Sequence, residues 1–339
     1  MKSKSLNLIT TIVLSGSTFG IISIVGTSCR NNEDKNKENK QPTYYDFFTY
    51  NLIDVADTHT HTYEINVDWT NSKNIQENFN EEVVIPSKHP DNDIPITKIG
   101  DGFLENCPSF NSNVYIPETI EIIGKRFMRY NASFNKPLII PNSVNKIDFG
   151  FLQYCNTFNQ PITLSSNLNM IGESFLYGCS NFNQQLKFTN SLSIIDGHFL
   201  QDCLNFNQPL SIPSVKTIGV SFLNGCENFN SDIYLKDITS INNYFLNGCI
   251  SFNCYLSIPN SVTDIGKSFM YRNNSFDNTL NLESKANVFV DSEYTCATDD
   301  EGALCYKSGF KISGNGGNEF MDKFENSNKK PYRNLVLKV

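Results

Sequence analysis

The sequence predicts an α/β repeat solenoid: a right-handed superhelix with one parallel β-sheet on one wall and short helical or turn segments on the other. Three observations predict it. A Phe-Leu or Phe-Met pair recurs at Phe103, Phe127, Phe151, Phe175, Phe199, Phe222, Phe245 and Phe269, at spacings of 24, 24, 24, 24, 23, 23 and 24 residues. A second Phe follows seven residues after each of these, from Phe110 to Phe276. An Ile followed by Gly, Asp or Asn precedes every pair, from Ile99-Gly100 to Ile265-Gly266. A period in the range of roughly 20–50 residues, held over many copies, means units that bury their apolar sides only by stacking on one another. The eight units are called rungs 1 to 8 below, each starting at its first Phe.

Within a rung each segment has its own reading. Gly, Asp and Asn enter left-handed backbone most readily, so a corner of positive φ is expected after each Ile. The next stretch, as in "ESFLYGC" (Glu173 to Cys179), places Phe175 and Cys179 four apart, on one face of a short helical turn. "FNQPL" then turns the chain again, and "PLSIP" reads as a brief strand in which Leu210 and Ile212 alternate inward. The inward pairs run Val114/Ile116, Leu138/Ile140, Ile162/Leu164, Leu186/Phe188, Leu210/Ile212, Ile233/Leu235, Leu256/Ile258 and Leu280/Leu282, without a polar residue among them. The two 23-residue units each lack one residue between this strand and the following Ile, where a turn absorbs the loss more easily than the core does.

The ends read differently. Lys2 and Lys4 followed by the uncharged run Leu6 to Val25 form a signal peptide over residues 1–28, and "VGTSC" ends it at Cys29 in the manner of a bacterial lipobox. Cys29 is then the lipidation site: two acyl chains such as palmitate, at about 0.8 kcal/mol per buried methylene, hold a chain to a membrane. Residues 29–43, "CRNNEDKNKENKQPT", carry no large apolar side chain and are expected to be a disordered tether. Residues 44–98 read as an N-terminal cap that ends in an incomplete first rung, lacking its Phe-Phe half. Residues 99–282 are the solenoid. Residues 283–339 read as a C-terminal cap, with Phe320 and Phe324 at helical spacing.

Composition limits the function classes. A net charge of −8 with scattered Lys and Arg disfavours nucleic acid. An apolar fraction of 39%, with 26 Phe and 15 Tyr, is ample for a core.

The unit "IGxxFLxxCxxFNxPLxIPxSVxxIG" resembles the BspA-like leucine-rich repeat family, over about Val83 to Leu282. It departs from that pattern in carrying Phe-Leu or Phe-Met where the family has Ala-Phe. "FNQP" is similar to a neighbouring surface-repeat family, and the Asn- and Lys-rich composition with a lipobox resembles surface lipoproteins of wall-less, low-GC bacteria. The resemblance implies a leucine-rich repeat fold and a non-catalytic protein at the extracellular face of the cell membrane. It implies adhesion to a host protein or glycan, but fixes no ligand.

Several residues are candidates for chemistry. Cys107, Cys155, Cys179, Cys203, Cys226 and Cys249 share one rung position, which Asn131 and Asn273 fill in the other rungs. Asn cannot bridge sulfur, so a ladder of buried thiols is expected in place of disulfides. Cys254 has no assigned role, and Cys296 and Cys305, around an acidic turn, form a possible disulfide. "DTHTHT" places His59 and His61 on one strand face, as metal hydrolases do, but the chain offers only His89 and His198 besides. Alternating Thr and His on a half-exposed strand is the plainer reading; no metal and no cofactor are expected. The Asn after each second Phe, from Asn111 to Asn253, either touches a ligand or caps the turn and bonds across rungs. The outward strand positions vary from rung to rung, which suits a binding surface on the concave sheet. Tyr115, Tyr234 and Tyr255 are the expected anchors, with Gln185, Lys187 and Asp232 beside them. The alternative is a surface coat or antigen with no specific ligand; a metal-dependent hydrolase is the remote one.

Overall fold

The computed structural model describes residues 45–55, 60–70, 72–266, 268–276 and 278–282, with the short strands Asn287–Val288, Lys311–Ser313 and Val336–Lys338 beyond. Both Phe columns are continuous and buried. Rings in the first column, Phe103 to Phe269, stack nearly parallel with centroids 5.2–6.1 Å apart. Those in the second, Phe110 to Phe276, stack at 5.5–5.9 Å. Such spacing suits offset stacking, which adds to the burial of each ring. The inward strand pairs lie against these columns as expected, with Ile116, Leu164, Phe188 and Leu235 only partly covered.

The sheet lies elsewhere than the sequence suggested. One 11-stranded sheet runs the length of the described array, and its rungs contribute the two residues ending in the Ile of Ile-Gly, such as Met170–Ile171, paired in parallel with Ile194–Ile195. The Leu-x-Ile-Pro segments form a second, interrupted ladder of two-stranded pieces and one four-stranded piece. Pro137, Pro161 and Pro209 open these segments and have no N–H to donate, so pairing starts only at the next residue: Leu138 N–H reaches Pro161 O at 3.1 Å. Register survives both shortened rungs, since Ile195 pairs with Ile218 and Ile218 with Ile241.

The remaining wall is not helical. Gly102, Leu104 and Asn106 all have positive φ, as do the equivalent residues of the later rungs, such as Ser174, Leu176 and Gly178. Left-handed backbone at every second residue breaks an α-helix, and its hydrogen bonds go to the neighbouring rungs instead. Ser174 and Gly178 donate to Gly197 O and Gln201 O of the next rung at 2.8 Å, while Leu176 donates to Phe151 O of the preceding one at 2.9 Å. Left-handed Leu costs roughly 1–2 kcal/mol. The inter-rung bond and the complete burial of Leu176 offset that cost. The only α-helix among the described residues is α1 (Lys73–Asn78) in the N-terminal cap.

The Gly after each Ile is likewise kept for a different reason from the one expected. Gly100, Gly124, Gly172, Gly219 and Gly266 do not have positive φ. They lie against the preceding rung's backbone or the cap: a Cβ on Gly219 would stand 2.3 Å from the carbonyl carbon of Asp196. Where Asp148 and Asp196 fill this place, the carboxylate accepts the next residue's N–H at 2.8 Å.

The N-terminal cap is also more complete than expected. β1 (Phe48–Val55) and β2 (Thr60–Val67) form an antiparallel hairpin, and β2 pairs in parallel with Ile96–Ile99 at the end of the long sheet. Phe48 packs tilted against Phe103 at 5.7 Å and Phe79 stacks on Phe110 at 5.7 Å, so both columns begin in the cap. The first rung therefore has its Phe-Phe half, drawn from two separate segments. At the other end Asn287–Val288 extends the long sheet and Lys311–Ser313 and Val336–Lys338 the second ladder. Phe320 and Phe324 lie outside the described residues, as do residues 1–44 with the signal segment, Cys29 and the tether.

Phe175→Ala should lower stability by about 3–5 kcal/mol, Gly219→Ala by about 1–3 kcal/mol through backbone overpacking, and Lys187→Ala by no more than about 0.5 kcal/mol. Urea denaturation of the three variants checks the ranking; equal shifts would contradict the inward and outward assignments.

Candidate functional site

Strand alternation decides which side chains of the Leu-x-Ile-Pro ladder meet solvent. Leu210, Ile212 and Ile233 point into the core, so Ser211 and Tyr234, paired in register, point out. On this outer face Tyr234 is 59% exposed and Tyr255 51%. The Tyr234 hydroxyl donates to Asp232 Oδ2 at 3.1 Å, and that carboxylate pushes the phenol's pKa up. Rungs 6 and 7 thus bring Asp232, Tyr234 and Tyr255 together. Gln185 and Lys187 are exposed on rung 4, with Pro209 and Ser211 of rung 5 between them and that cluster. Tyr115 stands apart on rung 1, half-buried, its hydroxyl donating to Glu82 Oε2 at 3.3 Å. The six candidates therefore share one face without forming one pocket. Ile139, 68% exposed on that face, was not among them; its signal was the apolar residue in "PLIIP" where other rungs carry polar or small ones.

The conserved-looking polar columns are structural. Each Asn after the second Phe accepts, through Oδ1, the backbone N–H of its counterpart one rung on: Asn159 to Asn135, Asn183 to Asn159, Asn207 to Asn183, all at 2.9 Å. Asn80 starts this ladder by accepting from Asn111 N–H. The Cys column works similarly. Cys155, Cys179, Cys203, Cys226 and Cys249 donate S–H to the Leu or Met carbonyl of an earlier rung at 3.0–3.1 Å. Asn131 fills the same place with a carboxamide oxygen that takes Cys107 N–H at 2.7 Å. The described cysteines are free thiols. Cys254 is half-buried, with Sγ 3.4 Å from Asn230 Oδ1. Cys296 and Cys305 lie outside the described residues.

The histidines are not gathered. His61 Nδ1 is 2.6 Å from Asp54 Oδ1, His89 lies against Tyr63 at 4.2 Å, and His198 Nδ1 is 2.6 Å from Gln201 Oε1. His59 lies outside the described residues. Among the described residues no group of three or more His, Cys, Asp or Glu is placed to hold a metal ion.

A further surface was not foreseen. On the turn wall Tyr130 stacks on Tyr154 at 5.3 Å, Tyr177 packs tilted against Tyr154 at 5.0 Å, and His198 continues the row at 6.1 Å from Tyr177. Hydrogen bonding with Tyr154, then burial and nearby Asp202, push the Tyr177 phenol up to about 12.

A family model described as "BspA type Leucine rich repeat region" matches in six copies over residues 80–207 and 199–293. The chain belongs to this family. Solved structures agree with the BspA-type fold. A leucine-rich repeat protein from Bacteroides ovatus ATCC 8483 is similar at 20% identity and a TM-score of 0.55, covering 80% of this chain and 70% of its own. One from T. pallidum is similar at 18% identity and 0.51, covering 62% and 91%. A leucine-rich cell surface protein from Faecalibacterium prausnitzii A2-165 matches at 16% identity and 0.27, covering 88% and 96%. At these identities the likeness of the first two shows the fold alone. No curated protein matches the chain. Members of the BspA-type family are leucine-rich repeat proteins. Among the described residues no helix is long and apolar enough to cross a membrane.

Burial pushes the thiols of Cys107 and Cys155 up from an ordinary 9.0 to about 12, and those of Cys179, Cys203 and Cys226 are raised well above it. Iodoacetamide with peptide mapping should label Cys254 in the native chain and the six repeat thiols only after unfolding. Because the folded pKa values are raised, the thiols' contribution is complete below pH 9 and lost as pH climbs toward about 12. Denaturation midpoints across that range should fall less steeply in Cys155→Ala.

Proposed function

We propose that this BspA-type repeat chain is an extracytoplasmic surface lipoprotein, anchored through acyl chains on Cys29, that binds a host protein or glycan through the outer face of its Leu-x-Ile-Pro strands. The observation that carries the reading is the contrast along those strands. Inward positions are apolar in every rung, while outward ones change from Ile139 to Lys187 to Tyr234 and put Tyr234 and Tyr255 in solvent on neighbouring rungs. Such a face lets a solenoid vary its contacts without disturbing its core. Tyrosine supplies broad contact at low entropic cost, and Asp232 adds a charged acceptor beside it. No step of bond making or breaking is involved.

The chain from Arg30 onward should bind at least one immobilised host matrix or cell-surface component. Changing Tyr234 and Tyr255 together to Ala should weaken that binding about tenfold or more. Unchanged binding in the double variant would remove this face from the reading; no binding to any component would favour a coat or antigen. In cells, Cys29→Ala should abolish incorporation of labelled palmitate and release the chain from the membrane fraction.

A further inference from the structure

A cavity of about 500 Å³ opens where the N-terminal cap meets the turn wall of rungs 1 and 2. Its walls come from both sides: Trp69 and Gln76 from the cap, and Asp101, Glu105, Arg126 and Tyr130 from the rungs. That volume falls in the range of small-molecule sites, and none of its lining residues belongs to the strand face discussed above.

The groups are fixed in advance. Trp69 packs tilted against Phe47 at 4.5 Å, and Gln76 Nε2 donates to the Glu105 backbone carbonyl at 2.8 Å. Glu105 Oε1 accepts from Arg129 Nε at 2.7 Å and its Oε2 from Arg126 Nε at 3.1 Å. Asp101 Oδ1 accepts Lys125 N–H at 2.9 Å. The Arg129 guanidinium lies 4.8 Å from the centre of the Tyr130 ring. One feature is left without a structural use. The buried Trp69 Nε1–H has no acceptor.

The charge pattern selects the ligand class. Glu105 holds both the Arg126 and the Arg129 guanidinium, so an anion finds no free cation here, while Asp101 accepts a backbone N–H and leaves carboxylate lone pairs for a hydroxyl donor. An uncharged molecule with many hydroxyls and an apolar face meets aromatic planes and carboxylate acceptors. We propose that this cavity, walled by Trp69 and Tyr130 and lined by Asp101, Glu105 and Arg126, is a binding site for a neutral saccharide. Tyr154 and Tyr177 continue from Tyr130 along the turn wall, which gives a longer chain further rungs to lie on.

Trp69 is the only tryptophan of the chain, so its emission reads occupancy directly. The full-length protein is titrated with lactose, cellobiose, maltose and N,N′-diacetylchitobiose, with sodium phosphate and spermidine as charged controls. At least one disaccharide should shift the emission saturably, with a midpoint below about 50 mM. Tyr130→Ala, a change at an exposed side chain, and Asp101→Asn, which keeps the acceptor for Lys125 N–H, should each raise that midpoint at least about fivefold. No saturable shift with any disaccharide, a saturable shift with either charged control at lower concentration, or a smaller effect in either folded variant would overturn the proposal. The titration reads nothing of the strand face, so it stands or falls apart from the host-binding reading.

Discussion

Every rung must bond to the next at close to one strand spacing, and the rest of the structure follows from that. The bonds are made on three sides at once: through the Ile ladder, through the turn wall, and through the Asn carboxamides. With all three sides tied, a residue has no freedom to choose its neighbour, and each position stacks on its own counterpart. Two columns of phenylalanine are therefore a consequence of translation, and their rings lie nearly parallel because the backbones beneath them do.

The same constraint explains what varies. Asn131 can stand in the Cys column because both residue types bond a neighbouring rung's backbone, whereas Asn273 fills the same place near the end of the array with its carboxamide unpaired among the described residues. Gly holds five of the eight places after the Ile because a Cβ there would meet the preceding rung's backbone or the cap, and only the short Asp or Asn fills the other three. Outward strand residues and the loop that loses one residue in the shortened rungs make fewer such bonds, and these are where the chain changes most.

Much of this was legible from the period. A repeated Phe with a fixed seven-residue partner identifies the columns, and strand alternation correctly sorted Leu210 from Ser211 and Ile233 from Tyr234. Strands of two residues are too short for alternation to reveal which segment pairs continuously, so the longer sheet was assigned to the wrong segment. Left-handed Leu176, Leu200 and Leu223 contradict local propensity; only bonds to other rungs make them possible, and a rung read alone cannot show them. Phe79-Asn80 did carry a signal, since "NFN" at residues 78–80 repeats at 181–183 and 228–230. The cavity beside Trp69 had none, because Gln76 and Tyr130 meet only once the cap has folded onto rung 2.

The binding face and the cavity rest on the same rigid support, a stack whose rungs hold one another in register. Native-state hydrogen exchange, resolved by fragment mass across rungs 3 to 6, tests that support most directly. If the turn wall is tied between rungs, the amides of Leu176, Gly178 and Leu200 should exchange as slowly as those of Ile195 and Asn207. Turn-wall amides exchanging orders of magnitude faster than the strand amides would contradict it.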